Sequence, residues 1–276
     1  LSRHEIPEYE VDTGTARLVP DDQLDDAFTL YLNGVPSSHV AVGRPLHLDF
    51  EYMRWIAAVV QRFVDAHLDA NKLRVTHLGG AGCSLPRFLA AVYPRSRHTV
   101  VEIDAALAKL VREVFDIPRS PTVKIRVGEA REVVDSLRPA TRDVIVRDVF
   151  ADAVTPEPLT TTGFFAACAR TLVPGGLYVA NCGDHSDLTG ARAELAGMAE
   201  VFDHLAVVAD PPMLKGRRYG NIVLVGSDTP LPADRDPDLT RELLGGAVPA
   251  QYHAGAWVER FRSGGRARHD APAARD

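Results

Sequence analysis

Residues 73–85 read LRVTHLGGAGCSL. A short β-like run ends at Leu78, a glycine-rich turn follows at Gly79, Gly80, Ala81 and Gly82, and a helix opens after Cys83 and Ser84. Glycines in such a turn let the backbone bend sharply and approach a ligand, while the free N–H groups at the helix start favour polar or anionic groups. An isolated match is equally compatible with a strand-to-helix turn that needs one positive φ. The surroundings therefore decide.

Working outward, short apolar runs alternate with helical stretches, which is the pattern of parallel strands buried on both faces. Strands are predicted at 73–78, 97–102, 122–127, 143–147, 175–181, 204–209 and 221–226, with helices at about 84–93, 104–115, 129–137, 160–172 and 187–201. The fold class is α/β, a class I methyltransferase-type Rossmann doubly wound sheet. The loop between the last two strands is too short for a helical crossover, so these two are expected to pair antiparallel. Ahead of the sheet, residues 1–49 alternate β-like runs with turn signals, including Asn33-Gly34 as a hairpin turn, and form a small N-terminal antiparallel β domain. Met53, Ile56, Val60, Phe63, Val64 and Leu68 recur at helical spacing and mark a connecting helix within 50–72, ending near Asn71. Residues 73–230 form the nucleoside-binding unit, and 231–276 a C-terminal extension whose polar tail after Gly264 reads as disordered.

Composition narrows the function. The chain has 276 residues, 46% hydrophobic, and a formal charge of −6 from 37 acids and 31 bases. Residues 1–30 hold eight of those acids and two of the bases, so the rest is balanced at 29 and 29. No basic stripe is present, which argues against a nucleic-acid partner. Three scattered cysteines fit neither a disulfide framework nor a metal site, and no His/Cys/Asp grouping has metal-site spacing. The opening LSRHEIPEYE lacks the regions of a signal peptide, and no apolar run approaches the roughly 20 residues of a membrane span. A cytoplasmic protein with a small-molecule acceptor and no membrane partner is expected, and the β unit offers a surface for a homodimer.

The nucleotide is read from two carboxylates. Glu102 ends the next strand, 23 residues after Gly79, where it can accept both hydroxyls of a ribose. Gly128-Glu129-Ala130 ends the third strand and places a second carboxylate to accept from an adenine amino group. Leu85 stands where a dinucleotide fingerprint would carry its third glycine. These features point to an adenosyl sulfonium donor, with NAD as the competing ligand.

The order of HLGGAG (77–82), VVEID (100–104), VGEA (127–130) and DVIVRD (143–148), preceded by LNGVPSSHV (32–40) and FEYM (50–53), resembles the spermidine synthase family and its spermidine-synthase-like relatives. The resemblance implies an S-adenosylmethionine or decarboxylated S-adenosylmethionine cofactor. The implied cofactor-binding residues are Gly79, Gly80, Ala81 and Gly82 beside the sulfonium side chain, Glu102 with Ile103 at the ribose, and Glu129 with Ala130 at the adenine. Asp148, which closes DVIVRD, matches the aspartate that deprotonates the attacking amine. A base belongs there on chemical grounds also, at the carboxyl end of a central strand; the alternative is a loop-capping Asp or a partner of Arg147.

Departures from the polyamine-forming pattern shape the remaining expectations. Ala81 replaces an Asp, Pro36-Ser37 replaces a Gln, and Ala151 replaces a second acid, with Asp152 one place later. Desolvating two cationic reactants needs several carboxylates, so methyl transfer is the favoured expectation, aminopropyl transfer the alternative, and an inactive nucleoside-binding or assembly module the third. Asp152, Tyr219 and His185 are candidate substrate-binding residues. Arg217 and Arg218 could neutralise an acidic substrate. Cys83 at a helix start and His77 inside a strand are read as structural.

Overall fold

The computed structural model describes residues 6–151 and 154–271. Four antiparallel strands open the chain: β1 (Glu8–Val11), β2 (Gly14–Pro20), β3 (Ala27–Leu32) and β4 (Val35–Ala41). The β3–β4 hairpin turns at Asn33 and Gly34, whose φ values of 50° and 81° are those of a two-residue turn with both centres left-handed. Helix α1 (Glu51–His67) follows. It stops four residues before the expected Asn71, because Leu68 turns extended and Asp69 accepts from the Asn71 N–H (2.9 Å), forming a local turn that competes with the helix.

The main sheet then builds through β5 (Arg74–Leu78), α2 (Ser84–Val92), β6 (Arg97–Glu102), α3 (Ala105–Val114), β7 (Val123–Val127), α4 (Ala130–Ser136) and β8 (Arg142–Arg147). It continues through α5 (Thr162–Thr171), β9 (Leu172–Asp184), α6 (Thr189–Met198), β10 (His204–Ala209), α7 (Pro211–Leu214) and β11 (Gly220–Ser227). The strand order is β12-β10-β11-β9-β8-β5-β6-β7, where β12 (Gln251–Ala254) comes from the C-terminal extension. Strands β5 to β9 are parallel, and β11 lies antiparallel between β9 and β10 as the short connection requires. Val144, Ile145, Val146 and Arg147 are buried in succession, so both faces of β8 are covered. From β5 the chain winds outward to β6 and β7 and returns to β8 on the other side. The crevice at the carboxyl ends of β5 and β8 is thus the topological switch point.

The N-terminal sheet packs on the main domain: Leu18, Leu30 and Val40 share a core with Cys83, Leu107 and Phe115. Asp12 accepts from the N–H groups of Ala105 and Ala106 at the start of α3, which suits the positive end of the helix. The C-terminal extension forms α8 (Pro237–Leu244), β12 (Gln251–Ala254) and α9 (Ala256–Arg262), and β12 adds an edge to the main sheet. The expected disordered tail is held over its described part. Thr162 donates its N–H to the Arg268 carbonyl (2.8 Å), and Asp270 pairs with Arg131 at 2.9 Å.

Candidate active site

The glycine turn is fitted to its neighbours on three sides. Gly79 has φ +86°, and a Cβ there would stand 2.1 Å from the Asp148 carbonyl oxygen, so the first turn position accepts only glycine. Its N–H donates to Val101 O, while Asp148 N–H donates to Leu78 O, which locks the ends of β5, β6 and β8 together. Gly80 and Ala81 donate to Glu102 Oε2 at 3.2 and 3.1 Å, and Asp104 N–H donates to Oε1 at 3.1 Å. Glu102 is thereby fixed at the carboxyl end of β6, facing the turn. Gly82 has a different reason to be glycine. It donates to Ser38 Oγ (3.0 Å), and a Cβ would press on Ser38 and Val40 of β4 at 2.9 Å. The N-terminal sheet therefore braces the turn, with Ser84 Oγ donating to His39 O as a second tie. Cys83 is buried, and desolvation, with the Glu102 charge beside it, pushes its thiol up to about 12. That is the structural thiol expected, the opposite of an activated one.

Asp148 sits at the switch point. Tyr52, in the first turn of α1, donates its hydroxyl to Oδ2 at 3.0 Å, and Asn181 of β9 donates Nδ2 to Oδ1 at 3.0 Å. Desolvation raises the Asp148 carboxyl above its ordinary value, against the lowering effect of these two donors and of the Arg147 charge. Desolvation together with the Asp148 charge holds the Tyr52 hydroxyl well above its usual range, so it remains a donor. Arg147 does not pair with Asp148. Its side chain is fully buried against Glu194 of α6 (2.8 Å) and donates to the carbonyls of Leu159 and Asn181. Tyr52 and Asn181 were missed from sequence. The signals were FEYM, where Tyr52 opens the helix, and a lone amide inside the apolar run of β9.

The other expected residues divide. Ile103 is 59% exposed beside Glu102, an apolar side chain left open at the sheet edge. Glu129 accepts from the Glu132 N–H (2.9 Å) and caps α4, and Ala130 is buried in the first turn of that helix. Tyr219 and His185 come together, ring centroids 5.1 Å apart, at the ends of β11 and β9. A Cβ at Gly183 would meet Tyr219 Oη at 2.9 Å and Phe150 at 3.1 Å, so this glycine lets the two rings converge on the end of β9. Asp184 accepts from the Ala191 N–H at the start of α6 and so caps that helix. Arg218 is engaged with Asp210 at 2.8 Å. His77 is buried, its Nε2 3.0 Å from His98 Nδ1, and desolvation first, then His98, drives it well below its usual value. Asp152 lies outside the described residues.

The comparisons fit this geometry. No family model matches. A crystal structure of a probable spermidine synthase from Corynebacterium glutamicum is 58% identical, with 98% of each chain covered and a TM-score of 0.95. The chain belongs to the spermidine-synthase-like family. A polyamine aminopropyltransferase of Vibrio vulnificus is 28% identical over 63% of this chain and 57% of its own length. This spermidine-synthase-like chain thus spans a little over half of that curated relative and 43% of the one from Neisseria meningitidis serogroup A. The spermidine synthase structure of Thermotoga maritima shares the fold at TM-score 0.60 and 18% identity, covering 81% of this chain and 72% of its own. These relatives, named aminopropyltransferases and spermidine synthases, support the alternative of aminopropyl transfer better than the methyl transfer expected first.

Proposed function

We propose that the chain is an aminopropyltransferase that joins the aminopropyl group of decarboxylated S-adenosylmethionine to an amine acceptor of the diamine class, with residues 73–230 as its nucleoside-binding unit. The observation that carries this reading is Asp148: a carboxylate raised by desolvation and held by Tyr52 and Asn181, on a residue whose backbone carbonyl packs against Gly79 at the switch point.

The residues suit the donor. Glu102 presents a fixed carboxylate for a ribose, and Ile103 offers an open apolar face for a purine. Glu129 and Ala130 lie at the next strand end as the adenine side of the pocket, with Glu129 keeping its second oxygen while it caps α4. When bound, the sulfonium supplies an electrophilic carbon and a neutral thioether leaving group, so no general acid is required. Asp148 takes a proton from the acceptor ammonium and frees the nitrogen lone pair; a C–N bond forms as the C–S bond breaks and its electron pair goes to sulfur. A raised carboxylate is a better proton acceptor than an exposed one, and Tyr52 and Asn181 keep its oxygens aimed without neutralising it. Phe150 and Tyr219, with His185 beside them, form the wall along which the acceptor chain lies, and Asp152 follows in the same connection.

The test is product formation. Incubation of the full chain with decarboxylated S-adenosylmethionine and putrescine is expected to yield spermidine, detected by chromatography with mass analysis. Asp148→Asn is expected to lose turnover by roughly 10²–10⁴-fold while binding the donor normally. Absence of product with a series of diamines and polyamines, from protein that binds the decarboxylated donor, would refute the reading.

A further inference from the structure

No spacing in the sequence marks a metal site, yet the fold brings His39, His47 and Asp49 together so that one ligand atom from each lies within 4.8 Å of the others. His39 belongs to β4 and is 3% exposed; His47 and Asp49 come from the exposed connection that leads into α1. The His39 ring is already oriented. Its Nε2 stands 2.9 Å from Asp21 Oδ2, and Asp21 is fixed in turn by accepting from the N–H groups of Gln23 and Leu24. An ionised carboxylate accepts only, so Nε2 carries the proton, and in the neutral ring Nδ1 keeps a lone pair. That Nδ1 is buried and has no hydrogen-bond partner. A buried acceptor left unpaired costs about 1–3 kcal/mol. A carboxylate bonded to the far nitrogen of a histidine is the arrangement that presents the near nitrogen to a metal.

We propose that His39 Nδ1, His47 and Asp49 bind one divalent transition-metal ion, Zn²⁺ by ligand type, with Asp21 as the outer partner of His39. Two imidazoles and a carboxylate are a zinc donor set that leaves the fourth position to water. Ligand atoms in a tetrahedral zinc site stand about 3.3 Å apart, against a present spread of up to 4.8 Å among the three residues, so His47 and Asp49 must move in towards His39. His47 and Asp49 are exposed side chains on a loop, free to make that movement. The bound ion ties β4, which holds the glycine turn through Ser38 and His39, to the chain just ahead of Tyr52, which holds Asp148. It acts as a clamp across the two supports of the site and takes no part in the displacement.

The experiment uses tag-free full-length chain stripped with a chelator and titrated with Zn²⁺ by calorimetry, with thermal unfolding followed in parallel. One equivalent is expected to bind and to raise the unfolding temperature. Asp21→Asn is expected to weaken binding by roughly ten- to hundredfold, and His47→Ala or Asp49→Asn by more. Co²⁺ in place of Zn²⁺ should give the visible absorption of a four-coordinate site. His47 and Asp49 are exposed, so their variants keep the fold, which circular dichroism checks. No binding by the wild type, or binding undiminished in His47→Ala and Asp49→Asn, would overturn the proposal. Neither readout depends on the transferase reaction.

Discussion

Replacing Tyr52 by Phe removes one oxygen and leaves the ring packing of α1 intact. The lost group donates to Asp148 Oδ2 at 3.0 Å in a site withdrawn from water. A hydrogen bond to a charged group contributes about 1.5–3 kcal/mol, and the Phe ring keeps water from taking its place. That energy favours the ionised carboxylate alone, so its loss disfavours ionisation by the same amount. The carboxyl is already raised by desolvation, and the variant moves it further in the same direction. At a pH where protonation of Asp148 limits the rate, the ionised fraction falls by roughly ten- to hundredfold. Well above that region the carboxylate is ionised in both proteins, and their rates converge. The assay is kcat/KM for aminopropyl transfer measured from about pH 5 to about pH 9, which reports the ionisations of the free enzyme. The expected outcome is an acid limb displaced to higher pH with an alkaline plateau close to wild type and donor affinity unchanged. A uniform loss at every pH with an unmoved acid limb would refute the reasoning and leave Tyr52 a structural role only.

Asp148→Asn is expected to be as stable as wild type or more stable at neutral pH. Because the folded carboxyl is raised above its unfolded value, ionised Asp148 disfavours the native state above the folded value, and that penalty disappears as pH falls below the ordinary carboxyl value of 3.8. Denaturant midpoints of the two proteins should therefore converge on acidification; the unpartnered Oδ1 of Asn181 can accept from the new amide after a flip. Gly79→Ala should lose about 1–2 kcal/mol from the left-handed φ alone, and more as its Cβ displaces the Asp148 carbonyl, read as a lower unfolding midpoint together with weakened donor binding. Glu194→Gln leaves the Arg147 guanidinium buried without its counter-charge and should cost about 3–5 kcal/mol in chemical denaturation. Cys83, Cys168 and Cys182 are all buried with thiols raised by desolvation, so a disulfide reagent at mildly alkaline pH should titrate them only after denaturant is added.

The strand-turn-helix alternation is written in short-range pattern, and it was legible. The runs RVTHL, HTVVE and DVIVR stand as β5, β6 and β8, and the glycine turn and Asp148 follow from where those strands end. What could not be read depends on distance along the chain. Tyr52 reaches Asp148 across 96 positions, and no local property of FEYM announces it. QYHA is four residues at a sheet edge, too short for a periodic signal, and it becomes β12 only because β10 offers a free edge. The tail is Gly/Ala-rich and polar, the composition of a disordered end, yet one ion pair from Asp270 to Arg131 and the pairing at Arg268 hold it down. Gly82 was legible as a glycine for the wrong reason, since it makes room for Ser38 and Val40.

Arg147 and Asp148 carry opposite charges at adjacent positions, and β-strand alternation sends them to opposite sides of the sheet. Their treatment differs in one respect that separates structure from chemistry. Desolvation would lower the Arg147 guanidinium, but Glu194, together with the neighbouring Tyr178 and Cys182, outweighs it and holds the charge in place. Asp148, under the same desolvation, receives two neutral donors. Had a cation been placed there, the carboxylate would be held low and would be a poor acceptor for an ammonium proton. Neutral donors orient the oxygens and leave the basicity that desolvation creates. The neutral amide and phenol around Asp148 therefore suit the base proposed here, and an additional cation in that position is expected to reduce turnover.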